Sequence, residues 1–205
     1  MATNSLLSAV MADVYLLTER PDLVEATRMA VKNATLKLHS SDFFFKDLYE
    51  TGVLFDEAKY IQKLSIKELV PTFRAVHYLR KTAVDYSAEA GYVGSDFLES
   101  VHPLLSKDDY GKDRLNVYYQ AGTAINIRSS TAEQRFLLGV YTYPELSDEL
   151  YESWVAREYK EAIVYDAAAT VFKGIGFDEQ AAQFRADSAT WGRLLKNGNI
   201  VTGAY

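Results

Sequence analysis

His39, His77 and His102 are the residues best suited to metal ligation or proton transfer, and they lie in three separate segments. Zinc needs three or four ligands, and a triad needs a nucleophile and an orienting acid around its histidine. His39 with Asp42 supplies at most half of a metal site, and no second pair stands at ligand spacing. All three histidines are therefore expected in polar structural roles. Asp108, Asp109, Gly111 and Asp113 resemble the opening of a calcium loop. The twelfth position from Asp108 is Tyr119, where such a loop closes with glutamate, so a solvated turn is expected.

Other arrangements stop short in the same way. Gly174 and Gly176 form a GxG, but they follow a helical pattern and no third glycine stands at the nucleotide-binding spacing. The chain has no Walker sequence, no GxSxG and no HExxH. Thr170 and Lys173 are one helical turn apart, as a nucleophile and its base would be, yet Thr170 lies in an alanine-rich stripe expected to pack in a core. Glu145 with Asp148 and Glu149 shows how common paired carboxylates are here, but a glycosidase pair is defined by separation in space and by a raised pKa. No catalytic residue, metal or cofactor is expected.

Composition narrows the classes further. The 205 residues include 22 basic and 28 acidic side chains, a net charge of −6 that argues against general nucleic-acid binding, where affinity comes from neutralising phosphates. With no cysteine there is neither a disulfide framework nor a thiol nucleophile. Apolar and charged shares of 48% and 24% are those of a globular chain, and one domain is expected. Met1 to Tyr15 has no basic region and is interrupted by Asp13, and no apolar run approaches the roughly 20 residues of a membrane span. A soluble protein made in the cytoplasm is the expectation, with no membrane partner. The excess lies in the aromatics, fifteen tyrosines and ten phenylalanines. Tyrosine is enriched at protein interfaces. Phe43, Phe44 and Phe45, followed by Tyr49, read as extended, and successive strand positions face opposite sides. Either both faces are covered or at least one Phe meets another chain.

The elements that position these residues follow from periodicity. Leu6, Leu7, Val10, Met11, Val14 and Leu17 mark a first helix capped by Asn4 or Ser5. Pro21 suits the first turn of a second, with Val24, Thr27, Val31, Ala34 and Leu38 along one face. From Phe43 the pattern becomes extended, punctuated at Thr51 and Gly52. Tyr60 to Leu64 alternates weakly, Phe73 to Thr82 reads as a strand, and Gly91 and Gly94 bracket a loop. Phe97 to Val101 reads as a short strand, and Pro103 opens a helical turn. Asn116 to Arg128 reads as a hairpin turning at Gly122, and Phe136 to Tyr143 as another strand. Ser147 or Asp148 caps a helix through Trp154. A further helix follows Tyr159 and ends at Gly174 and Gly176. Asp178 starts the last, with Ala181, Phe184, Ser188, Trp191 and Leu195 on one face and Gly198 closing it. The order predicts an α+β fold: a helical bundle built from residues 1–40 and 145–198, an antiparallel β-rich insertion over about 41–144, and an extended tail, 199–205.

Several segments in this order resemble the head-to-tail adaptor, or connector, proteins of tailed bacteriophages, especially short-tailed ones. They are Arg20-Pro21-Asp22-Leu23, His39 to Asp47 (HSSDFFFKD), Pro71 to Arg80 (PTFRAVHYLR), Tyr119 to Thr131 (YQAGTAINIRSST), Tyr141 to Pro144, Ala162 to Lys173 (AIVYDAAATVFK), Gly176-Phe177-Asp178 and Ala181. The resemblance covers most of the chain and rests on order and spacing. It implies a structural virion protein with no catalytic residues, assembled in the host cytoplasm and placed at the head–tail junction. Such adaptors form a homo-oligomeric ring, usually twelvefold, that binds the portal protein on one side and tail proteins such as the nozzle on the other. DNA passes through without sequence-specific binding, which an acidic chain suits.

The candidate interface residues are Phe43, Phe44, Phe45 and Tyr49, with Ile200, Val201 and Tyr205 of the uncharged tail. That tail is expected either to clasp a neighbouring subunit or the portal, or to fold back on its own domain. Two other classes stay open: a carbohydrate-active or other small-substrate enzyme using carboxylates and aromatics, and a helical regulator binding nucleic acid through its first helices. Glu19, Asp22 and Glu25 crowd the helix junction where the regulator would need Lys and Arg.

Overall fold

The computed structural model describes residues 5–82, 97–107 and 111–199. Among these, six helices and a mixed five-stranded sheet make an α+β fold. The chain divides into two compact units, residues 1–47 with 143–205, and residues 48–142. No helix among the described residues is long and apolar enough to cross a membrane.

In the first unit, α1 (Ser5–Thr18) and α2 (Val24–Ser40) are joined by a turn, and α4 (Trp154–Glu158), α5 (Lys160–Gly174) and α6 (Asp178–Asn199) follow the sheet in sequence. Leu7, Val10, Met11 and Val14 are buried along α1, as their spacing requires. Pro21 does not begin α2. Arg20 clamps the Asp22 carboxylate with hydrogen bonds of 2.8 and 2.7 Å, and Leu23 N donates to Arg20 O at 3.2 Å. Pro21 thus occupies the second position of a β-turn, for which its fixed φ is suited. The helix starts three residues later, and Val24, its first residue, is exposed while Thr27, Val31, Ala34 and Leu38 are buried.

Alanine gives α5 its position. Ala162, Ala167 and Ala168 are buried with Ile163, Val164 and Val171, and α5 packs against α1, α2 and α6. Small side chains permit that many close neighbours around one helix. Ser188 on α6 donates to Ala162 O at 3.0 Å from a buried position. Gly176 takes φ 86° after α5, and Phe177 N reaches back to Phe172 O at 3.0 Å, the closure that favours glycine past a helix end. Gly198 does not end α6. Helix continues to Asn199, whose amide donates to Leu195 O at 2.8 Å and Tyr159 Oη at 3.0 Å. An interior glycine costs only about 1 kcal/mol relative to alanine, and such contacts offset it.

Neither Ser147 nor Asp148 caps a helix. The Asp148 carboxylate is drawn instead to Lys32 and, at 3.4 Å, to Arg28, and the backbone stays irregular until Ser153. Ser153 is the cap, its hydroxyl oxygen accepting from Ala156 N at 3.1 Å.

The second unit holds β1 (Leu48–Ser65), α3 (Ile66–Leu69), β2 (Phe73–Lys81), β3 (Glu99–Ser100), β4 (Val117–Ala121) and β5 (Ala124–Thr142). The hairpin at Gly122 forms as expected, with Tyr118 opposite Ile127 and Tyr119 opposite Asn126. Several expectations change. Phe43 to Tyr49 is not one extended run, because Phe45–Asp47 forms a 3-10 turn before β1. Thr51 and Gly52 do not interrupt β1; they pair with Leu138 and Leu137, so the ladder satisfies their backbone. Phe136 to Tyr143 is not a separate strand but the second half of β5, which continues unbroken from the hairpin.

β5 is the spine of this sheet. Its first half lies between β4 and the end of β1, its second between β2 and the start of β1, all antiparallel. β3 pairs parallel with β4, so the sheet is mixed where an antiparallel one was expected. Register slips between Leu54 and Ile61 of β1, and the buried Gln62 amide bridges the irregular stretch by donating to Glu57 O at 2.7 Å and Glu133 O at 3.1 Å. One sheet face carries the core, including Val53, Leu79, Ile125, Ile127, Phe136 and Leu138.

Candidate interaction surface

The three consecutive phenylalanines separate by environment. Phe44 is 0% exposed, while Phe43 and Phe45 are 42% and 47% exposed. Phe44 sits edge-on to Trp154, with ring centroids 5.5 Å apart, within the core of the helical unit. It is a packing residue and leaves the candidate interface. Phe43 and Phe45 present apolar surface, and the Lys46 ammonium lies 5.8 Å from the Phe45 ring and 5.1 Å from that of Trp154. Tyr49 is half exposed at the start of β1 in the other unit. Ile200, Val201 and Tyr205 lie outside the described residues, as do Asp108, Asp109, Gly91, Gly94 and Asn4.

The histidines hold structure. His39 is buried and donates from Nδ1 to Asp47 Oδ1 at 2.8 Å, since a carboxylate only accepts; its Nε2 is 2.9 Å from Ser153 Oγ. Trp154 Nε1 donates to the same Asp47 oxygen at 2.7 Å. The order Ser, His, Asp is that of a hydrolytic triad. Here all three side chains are buried, and the Ser153 oxygen caps α4, so the network ties the end of α2 to the chain leading into β1 and to the start of α4. Sequence reasoning expected a polar structural role for His39, weighed Asp42 as its neighbour at most in half of a metal site, and missed this network. Only the cap signal, a serine just before Trp154-Val155-Ala156, was readable. His102 caps a short turn, its Nδ1 accepting from Leu104 N at 3.2 Å, and His77 lies against the Tyr141 ring at 5.2 Å.

Thr170 is exposed, against the expectation of core packing, because its position falls outside the buried face of α5; its hydroxyl donates to Asp166 O at 2.9 Å. The acids near residue 148 work locally. Glu145 accepts from Ser147 N at 3.0 Å, and the Lys32 hydrogen bond holds the Asp148 carboxyl below its ordinary pKa. Between α1 and α5 a depression of about 260 Å³ is lined by Leu16, Leu17, Val164 and Tyr165 beside an Asp13–Lys160 ion pair of 2.6 Å. Hydrogen bonding to Asp13 raises the Lys160 pKa. Among the described residues, no group of three His, Cys, Asp or Glu side chains is placed to hold a metal ion.

Sequence reasoning overlooked exposed apolar residues on β1. Leu54, Tyr60 and Ile61 are each more than 60% exposed, in a strand whose inward positions include Val53 and Gln62. Along its 18 residues β1 pairs, among the described residues, with β5 alone. The weak alternation of Tyr60 to Leu64 was the only hint. On the sheet face away from its core, the Arg80 guanidinium lies 5.5 and 5.6 Å from the Tyr78 and Phe97 rings, with Glu50 at 3.9 Å. In sequence, the chain matches no protein-family model and no curated protein.

Proposed function

We propose that this chain is a structural virion protein, a head-to-tail adaptor whose copies form a ring between the portal of a phage head and the tail. In this reading its fold is a helical bundle made from both ends of the chain, with the β-rich segment inserted between them. The ring is twelvefold, as in the family it resembles, and it continues the channel through which DNA passes. It is assembled in the host cytoplasm and resides at the head–tail junction, with no cofactor and no catalytic residue.

The observation that carries the reading is exposed apolar surface concentrated on ordered elements, above all Leu54, Tyr60 and Ile61 on β1. Exposed apolar side chains on an ordered strand offer surface that a partner chain can cover, and a strand edge with no partner among the described residues is a template for another chain. The triad-like arrangement of Ser153, His39 and Asp47 is sealed in the core, where a substrate cannot reach it. Native mass spectrometry of the chain, alone and mixed with a short-tailed-phage portal, tests the proposal. A ring of many copies, free or portal-bound, is expected. A chain that stays monomeric in both conditions overturns it.

A further inference from the structure

Leu104 is 85% exposed and Leu105 59% exposed. They stand on the 3-10 turn Pro103–Leu105, which is tied down at several points. His102 caps it, Nδ1 accepting from Leu104 N at 3.2 Å, while Leu105 N donates to His102 O at 2.8 Å and Val101 N to Tyr118 O at 2.9 Å. Ser106, buried just past the turn, has its carbonyl held by Arg114 N and by the Arg128 guanidinium, each at 3.0 Å. A loose loop can turn its leucines inward. This one holds both in solvent, and a knob already fixed in shape loses little conformational freedom when a partner covers it.

The helical unit has a matching recess. The depression between α1 and α5 is lined by Leu16, Leu17, Val164 and Tyr165, and Leu16 is left 78% exposed. At about 260 Å³ it falls below the roughly 300–1,000 Å³ of most small-molecule sites, so it suits a pair of apolar side chains better than a substrate. Charge agrees with shape. Lys107, exposed, follows the turn, and Glu161 lines the depression; among the described residues neither makes an ion pair. Asp13 and Lys160 already satisfy each other, which leaves Glu161 as the anion on offer.

We infer that copies of this chain join by this knob and recess: Leu104 and Leu105 of one copy enter the α1–α5 depression of the next, bringing Lys107 to Glu161. The inference rests on the ring reading above and supplies a contact for it. Knob and recess belong to different units of the chain. Each copy therefore offers two unlike surfaces, and the contact is heterologous: it repeats around a ring, where a surface that meets itself stops at a dimer.

The chain has no cysteine, so a pair introduced by substitution reports this contact alone. In the full-length chain, Leu104→Cys combined with Leu16→Cys is treated with oxidised glutathione under assembly conditions. A reducible ladder of dimers, trimers and longer multiples is expected on a denaturing gel, because a disulfide forms only between side chains that meet. Either variant alone gives dimers at most. A disulfide closed within one chain, or no multiples beyond those of the single variants, overturns the inference. Loss of the contact is read separately. Leu104→Ser should melt close to the parent, since the side chain is exposed. It should also raise the concentration at which the ring dissociates by about tenfold or more, the effect of leaving one leucine uncovered. Lys107→Glu and Glu161→Lys should each weaken the ring, and the two in one chain should restore it. If Leu104→Ser forms rings like the parent and loses only a portal complex, the knob serves the portal and the inference fails. In each of these failures the parent still forms its ring and the adaptor reading stands. A parent that forms no ring in native mass spectrometry defeats that reading, and this contact with it.

Discussion

The Tyr78 ring occupies the space that a side chain at residue 139 would need: a Cβ there would lie 2.5 Å from Tyr78 Cε1. The ring cannot swing away cheaply, because Arg80 and Phe97 flank it, the Phe97 centroid 5.7 Å away. Gly139→Ala should therefore destabilise the chain by about 1–3 kcal/mol, the range for overpacking a fitted site. In urea unfolding, Tyr78→Ala combined with Gly139→Ala should cost less than the two single changes added together. Strict additivity would show that the ring does not require the glycine.

The buried network around His39 makes a second prediction. His39→Ala leaves the Asp47 carboxylate and the Ser153 hydroxyl without the imidazole, a loss on the order of 2–4 kcal/mol. His77→Ala and His102→Ala, at less buried sites, should each cost under about 1 kcal/mol. The three chemical denaturation curves decide. Equal midpoints for all three would remove any special role for the His39 contacts.

Val171 is buried on α5. Val171→Asp places an unpaired charge there and should cost several kcal/mol. For a chain of this size that is a fall in melting temperature of roughly 6–12 °C. A shift within about 2 °C of the parent would contradict the packing described for α5.

The fold was readable in the sequence where periodicity was strong and local. α1, the buried stripe of α2, the α5 and α6 boundaries near Gly174 to Asp178, and the hairpin at Gly122 follow from spacing and turn residues. What was not readable depended on partners distant in sequence. Gly52 looks like a break, but its pairing with Leu137 keeps the strand running. Pro21 looks like a helix start until Arg20 and Asp22 close a turn around it. His39 meets Asp47, a partner the sequence did not suggest, since a 3-10 turn carries Asp47 back toward the end of α2. No local pattern encodes the exposure of Leu54 and Ile61, because it depends on which strands lie beside β1. That is why the candidate surface shifted toward β1 and away from Phe44.

Tyr151 provides a pH dependence. Its hydroxyl lies 2.6 Å from Thr35 Oγ1, and burial pushes its pKa up to about 12, the Thr35 hydrogen bond acting in the opposite sense. An unfolded tyrosine ionises near about 10. Below that value both states keep the proton and the contribution to stability is constant. Between about 10 and 12 the unfolded chain releases the proton while the folded one holds it, so stability falls as pH rises, by roughly 2–3 kcal/mol across the window. Tyr151→Phe should flatten the alkaline limb of a stability–pH profile relative to the parent. Parallel profiles would place the alkaline transition on other groups.

The contrast among Phe43, Phe44 and Phe45 separates core from surface within three residues. Phe44→Ala removes a fully buried ring packed on Trp154 and should cost about 3–5 kcal/mol. Phe43→Ser and Phe45→Ser together replace side chains that already meet solvent over much of their area, and surface changes of this kind usually stay within about 0.5 kcal/mol per site. If Phe43 and Phe45 serve contact between chains, the double variant should melt close to the parent while its ring, or its complex with a portal, dissociates at higher protein concentration than the parent's. Dilution followed by native mass spectrometry reads that shift, with the melting temperature taken on the same samples. A double variant that melts early assigns both rings to the stability of the helical unit. One that melts and assembles like the parent removes them from the interface and leaves β1 as the surface to pursue.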